Sequence, residues 1–221
     1  MKRITIIAGH YGSGKTNISV NYALDAAKQG MPVAIADLDI VNPYFRSKDM
    51  QGMFEQKGIK FISSEYANSN VDTPALPAEA YSVVEDKSRY AIIDVGGDDR
   101  GALALGRYVP GILSENDYEM LFVINKFRPL TSDAASTIEV MREIETACKM
   151  KFTGIINNSN IGTETTCEHV IQSEQYAKDV SDMANIPIKF TTVDERIYDE
   201  LKDKIQNIMP LTLYVRQSWQ K

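Results

Sequence analysis

Residues 4–16 read ITIIAGHYGSGKT, and the reading of GHYGSGKT (9–16) decides the fold. A short apolar run, Ile4 to Ala8, enters a glycine-rich corner that opens into a helix-forming segment, so the pattern G-x-x-x-x-G-K-T stands where it has a mechanism. Glycines let the backbone curl until successive N–H groups point at one anion, and the start of the following helix adds positive potential. Lys15 is placed to reach the outer phosphates of a nucleotide, and the Thr16 hydroxyl to ligate Mg2+. Gly9, His10, Gly12, Ser13, Gly14, Lys15, Thr16 and Asn17 are therefore expected to form the cradle of a nucleoside triphosphate.

Working outward from this corner, Ile- and Val-rich runs alternate with helical patterns, which predicts βαβ units and a doubly wound, mostly parallel α/β sheet with helices on both faces. Strands are expected at 4–8, 33–37, 59–63, 90–95, 119–125, 152–157 and 188–193. Helices are expected at about 132–149, capped by Thr131 or Ser132, and at about 165–184. Gly30 followed by Pro32 closes the helix that begins in the glycine loop. The stretch 64–79 is the longest irregular piece. With 221 residues and no linker or repeat, the chain reads as a single domain spanning 1–221.

A phosphate-binding loop needs carboxylates at the ends of neighbouring strands to hold the metal and orient water. IIDVGGDD supplies Asp94, with Gly96 and Gly97 able to bring a backbone N–H to the outer phosphate. VAIADLDIVNP supplies Asp37 and Asp39, which share a face if the strand continues that far.

The bulk composition excludes several classes. A net charge of −6 disfavours nucleic-acid binding. No apolar run is long enough for a membrane helix, the five residues after Lys2 and Arg3 are too few for a signal peptide, and a cytoplasmic setting is expected. Cys148 and Cys167 lack metal or redox spacing and are expected in helix cores. His169, without metal-ligand company, reads as a surface residue. The C-terminal PLTLYVRQSWQK favours a packed strand or short helix over a membrane anchor.

In their order and distances, GHYGSGKT, DLDIVNP and IIDVGGDD resemble the CobQ/CobB/MinD/ParA nucleotide-binding domains, the deviant-Walker-A branch of the P-loop NTPases. The resemblance extends over the whole chain. It implies that Asp39 positions the attacking water and contributes to the metal site beside Thr16 and Asp94, with Lys15 and Asp39 as the catalytic pair. It also implies an ATP-driven homodimer that hydrolysis releases, and hence a switch acting on a protein partner. The family's signature lysine, which reaches across that dimer, is replaced by His10, and the glycine after it by Tyr11. Arg46, Arg100, Arg107 and Arg128 are available to supply transition-state charge, Arg46 and Arg100 being better placed. No iron–sulfur cluster is expected, because the cysteines lie well beyond the Asp94 strand.

For the base, Asn125-Lys126-Phe127-Arg128 starts like a guanine-reading NKxD motif but carries Arg128 where a carboxylate is required. Asn157 and Asn158 end the next strand, and an amide there can donate and accept toward adenine. The resemblance favours Asn157 as the adenine contact, and ATP over GTP. The expected protein is a slow MgATPase switch. Two alternatives stay open: an ATP-dependent small-molecule kinase or ligase resembling dethiobiotin synthetase, with 64–79 holding the acceptor, and an ATP sensor that does not turn over.

Overall fold

In a computed structural model, the described residues are 2–39, 48–63, 78–97 and 99–214. Among these residues eight strands form one sheet: β1 (Ile4–Ala8), β2 (Val33–Asp37), β3 (Lys60–Ser63), β4 (Tyr90–Asp94), β5 (Tyr118–Ile124), β6 (Gly154–Asn157), β7 (Ile188–Asp194) and β8 (Ile208–Leu211). Their order is β3-β2-β4-β1-β5-β6-β7-β8, and every pairing is parallel. The seven expected strands are all present, with ends that differ by no more than two residues; β8 overlaps the expected tail element only at Pro210 and Leu211, and 215–221 of that stretch lie outside the described residues.

Helices cover both faces because the inner strands are apolar on both sides. On one face α1 (Lys15–Lys28) and α2 (Lys48–Gln56) set Ile18, Leu24, Met50 and Phe54 against Ile7, Ile35, Ile92 and Leu121. The other face is covered by α3 (Ala78–Glu85), α4 (Asp99–Gly106), α5 (Val109–Glu115), α6 (Ala134–Cys148) and α7 (Cys167–Ala184), packed on Ile4, Ile6, Ile93 and Phe122. Within β1, Ile4 and Ile6 thus serve one core and Ile7 the other, each fully buried isoleucine stabilising the fold by roughly 2 kcal/mol. A short α8 (Glu195–Leu201) closes a third cluster around Val170 and Val193.

Local signals differ from expectation at several points. The cap of α6 is Asp133, which accepts from Ser136 N at 3.0 Å; a carboxylate is a better acceptor at that position than the preceding hydroxyls. Cys148 is buried, but Cys167 opens α7 at the half-buried surface, its thiol 3.4 Å from Glu200. His169 is half-buried and functional in the fold: its Nδ1 accepts from Thr166 N at 3.2 Å, closing a capping box, and its ring meets Phe127 edge-on. Arg3 is buried, paired with Glu115 and donating to the carbonyls of Val84 and Arg89, so it anchors β1 to its neighbours. Of the stretch 64–79, residues 64–77 lie outside the described residues, and Ala78 opens α3. Among the described residues no helix is long and apolar enough to cross a membrane.

Candidate functional site

β1 is the central strand where the order reverses, with β4 on one side and β5 on the other. Open α/β sheets bind ligands outside the C-terminal ends of their strands at such a point, and the glycine loop occupies it. Gly12 (φ 75°) and Gly14 (φ 93°) adopt left-handed backbone that other residues rarely tolerate. The loop closes on itself through Ser13 N donating to His10 O at 3.2 Å, and Lys15 Nζ donates to that same carbonyl at 3.2 Å. Gly14 caps α1 without a side chain, which leaves the helix start shaped for an anion. Asn17 lies in the first turn of α1, its carbonyl accepting from Asn21.

On the β2–β4 flank stand the acids. Thr16 Oγ1 donates to Asp94 Oδ2 at 2.9 Å, so the two expected metal ligands are in direct contact. Asp94 is buried, and its Oδ1 has no hydrogen-bond partner among the described residues. Burial pushes its carboxyl up to about 7, against the pull of the Lys15 ammonium and the Thr16 hydroxyl, with the neighbouring Asp39 charge raising it further. β2 ends at Asp37, so Asp37 and Asp39 do not share a strand face as the continuation required. Instead the chain turns, and Asp37 Oδ1 accepts from Asp39 N at 2.8 Å. A methyl built on Gly96 would stand 3.4 Å from Asp39 Oδ1, and one on Gly97 only 2.6 Å from Tyr11 N and 2.9 Å from Lys15 Nζ. Only a glycine at 97 lets the segment after β4 press on the loop.

On the β5–β6 flank the partners are amides and an arginine. Asn157 is fully buried, its Nδ2 donating to Ser173 Oγ at 2.9 Å and Glu174 Oε1 at 3.1 Å, and its Oδ1 accepting from Ser159 Oγ at 2.7 Å. Its side chain therefore belongs to the α7 side and not to the loop. The amide that meets the loop is Asn158, whose Nδ2 donates to Ser13 O at 2.6 Å. Strand parity carries the signal: Ile156 packs on the α1 face, so position 158 shares that face and 157 takes the opposite one. Asn125 is also buried in structural contacts, accepting from Phe127 N and Asn160 N. Arg128 Nε donates to Gly12 O at 2.9 Å.

A phosphate-gripping loop between a threonine–aspartate pair and a wall of amides is the arrangement of a nucleotide-binding domain, and comparison agrees. The family model described as CobQ/CobB/MinD/ParA nucleotide binding domain (CbiA) matches residues 4–200. The chain belongs to this family. Solved structures share the fold. FtsY from Mycoplasma mycoides superposes with a TM-score of 0.59 at 19% identity, over 88% of this chain and 61% of that one. Chloroplast FtsY from Physcomitrella patens gives 0.58 at 20%, over 88% and 59%. The signal recognition particle 54 kDa protein from Aeropyrum pernix in complex with GDP gives 0.54 at 19%, over 85% and 40%. The chain thus spans about three fifths or less of the length of these structures. No curated protein matches its sequence.

His10 stands in the loop between Gly9 and Tyr11. Burial and the Lys15 ammonium hold its imidazole below the usual 6.5, opposed by Glu143, so it is neutral at pH 7 and can offer a hydrogen bond but no charge. Among the arginines, Arg107 is exposed, Arg100 lies in α4, and Arg46 is outside the described residues. Asp94 and Thr16 offer hard oxygen donors with one buried carboxylate oxygen to spare, which suits Mg2+ better than a soft metal. Among the described residues no cluster of three His, Cys, Asp or Glu side chains could hold a metal alone, so phosphate oxygens and water would complete the shell.

Proposed function

We propose that this chain binds a nucleoside triphosphate with Mg2+ and hydrolyses it slowly, adenine being the preferred base, and that the bound nucleotide switches the conformation or dimerisation of the protein toward a protein partner. The observation that carries the reading is the contact of Thr16 with the buried Asp94 beside Lys15, at the mouth of the glycine loop. In this reading the loop N–H groups and Lys15 bind the phosphate tail, Thr16 and Asp94 hold the metal, and Asp39 orients water. Bound Mg2+ supplies charge neutralisation on the phosphates, and the chain's own contribution is positioning and electrostatics. His10, being neutral, supplies a hydrogen bond where the family lysine would supply charge.

Guanine is the second reading, favoured by the GDP held in the Aeropyrum protein of the same fold. Arg128 weighs against it, since a guanine reader needs an acceptor at that place and Arg128 has only donors. The test is phosphate release from ATP and GTP by the purified protein, with and without Asp39→Ala. Release from ATP that Asp39→Ala abolishes while sparing binding supports the switch ATPase. Release only with an added metabolite sinks it in favour of a kinase or ligase, and binding without release in favour of a sensor. The dimer is tested by solution mass of the Asp39→Ala protein in apo, ADP and ATP forms; an unchanged mass refutes it.

A further inference from the structure

We infer that a cleft at the end of the sheet opposite the glycine loop is a second ligand site, for a short aliphatic diamine held in its ammonium form by Glu119, Asp25 and Asp117. All strands run parallel, and the glycine loop follows the C-terminal end of β1. The cleft opens at the other end, where Asp117 precedes β5 and Glu119, Lys189 and Met209 stand second in β5, β7 and β8. One wall is the end of α1, with Asp25 and the C-cap Gln29. α1 has 14 residues and so holds the two ends about 20 Å apart. The cleft measures about 640 Å³, within the range of small-molecule sites.

The sequence builds this cleft by interrupting its own apolar pattern. β5 reads YEMLFVI, and its charged residue, Glu119, is buried beside Thr5, the in-register neighbour on β1, whose hydroxyl donates to Glu119 Oε1 at 3.2 Å. Lys189 Nζ stands 2.9 Å from Glu119 Oε2, although β6 lies between their strands. Two features allow that reach. The β6–β7 register slips between Ile155 and Ile156, which leaves Lys189 as an extra residue, and such a bulge re-aims a side chain. On β6 the residue beneath is Gly154, where a methyl would stand 2.8 Å from Lys189 Cγ. An apolar side chain at 119 would pack without the cost of desolvating a charge, so stability alone does not account for a carboxylate at this place.

The charges favour a cation. Three carboxylates line the cleft against two lysines, and both lysines already face carboxylates, Lys189 at Glu119 and Lys2 at 3.4 Å from Asp117. An anion would have to draw a lysine away from its acid. A carboxylate offers about four acceptor positions, and on Glu119 the Thr5 hydroxyl and Lys189 use two, so a ligand ammonium can also donate to it. Asp25 and Asp117 stand half-exposed at the rim, and their pairs with Lys28 and Lys2 are weak, so a second ammonium group can share them. Tyr22 and Met209 supply an aromatic ring and a thioether for the methylene chain, the ring being stacked on Phe190 at 5.8 Å. Burial and the Glu119 charge hold the Tyr22 phenol above its usual range, so it stays un-ionised.

The experiment is calorimetric titration of the nucleotide-free protein with putrescine, and with succinate as a dianion of similar length. Putrescine is expected to bind and succinate not to. Glu119→Gln keeps the size and removes the charge, and should weaken putrescine about tenfold. Asp25→Asn should weaken it less, and Asp179→Asn, which removes an equal charge from the exposed side of α7 on the other face, should leave it unchanged. Bound putrescine should slow amide hydrogen exchange over 25–29 and 117–119 and leave 9–14 as they were. An unmodified protein that does not bind putrescine overturns the inference, as does equal or tighter binding of succinate. Equal losses in Glu119→Gln and Asp179→Asn overturn it too, since net charge would then account for the binding. If Glu119→Gln does not fold, a protein carrying both Asp25→Asn and Asp117→Asn is compared with Asp179→Asn by the same criterion. Nucleotide is absent throughout, so failure here is distinct from failure of the nucleotide-binding reading.

Discussion

The two flanks of the glycine loop are built on opposite electrostatic plans. Toward β5 and β6 the loop leans on Asn158, Arg128, Asn125 and Asn160, whose hydrogen bonds are made within the protein. Toward β2 and β4 it faces Asp37, Asp39 and Asp94, of which Asp37 and Asp94 are buried and Asp94 has its proton affinity raised. The first flank is held by contacts within the protein and acts as scaffold. The second is electrostatically incomplete until a cation arrives, since a buried carboxylate is costly unless neutralised. Scaffold and chemistry thus sit on either side of one loop, and the acids mark the reactive side.

The contrast can be broken or sharpened by substitution. The largest effect is expected at the loop itself: Lys15→Ala should weaken nucleotide binding by about a hundredfold, the loss of a charge-assisted contact, as read by calorimetric titration. Retained affinity would mean that the loop amides suffice alone. Next comes Asp94. The native state holds its proton up to about pH 7, whereas an unfolded aspartate releases it near 3.9, so in that window the native form binds more protons and stability falls as pH rises. The sum across the window is on the order of 4 kcal/mol, and Asp94→Asn should flatten this dependence in denaturant melts without Mg2+. The same variant should lose the Mg2+-dependent part of nucleotide affinity, which in the unmodified protein rises toward about pH 7 and then levels off.

Asn157, which faces α7 and not the loop, should respond in stability and not in affinity. Asn157→Ala strands its partners Ser173, Ser159 and Glu174 and should cost about 2 kcal/mol in thermal or denaturant unfolding, with nucleotide affinity nearly unchanged. A selective loss of affinity would move Asn157 into the site and undo the division proposed here. The smallest effect belongs to His10. Because its imidazole is held neutral, His10→Gln should alter affinity by less than about threefold, and His10 should add no pH dependence at or above about pH 7. A marked pH step in the unmodified protein that His10→Gln removes would show that the ring gains charge when phosphate is bound.

Much of the fold is legible in the sequence. The alternation of apolar runs and helical stripes is a one-dimensional record of burial, so all seven expected strands appear within a residue or two. What failed did so where neighbours in space decide. Strand parity says that 157 and 158 face opposite ways, but only the packing of Ile156 against α1 says which one meets the loop. The helix cap fell to Asp133 because its carboxylate happened to reach Ser136 N. Asp37 and Asp39 parted because β2 stops at its last pairing with β4, between Asp37 and Asp94, and the chain then turns.

By itself, the sequence determined the parallel α/β plan, the glycine loop after the first strand and the residue types that chemistry requires there, since these depend on periodicity, glycine backbone freedom and charge, all local properties. Only the tertiary structure decided that Thr16 and Asp94 touch, that Gly97 closes on Lys15, and that Asn158 and Arg128 brace the loop. Those contacts join residues far apart along the chain, and their geometry exists only once the sheet order has placed β4, β1, β5 and β6 side by side.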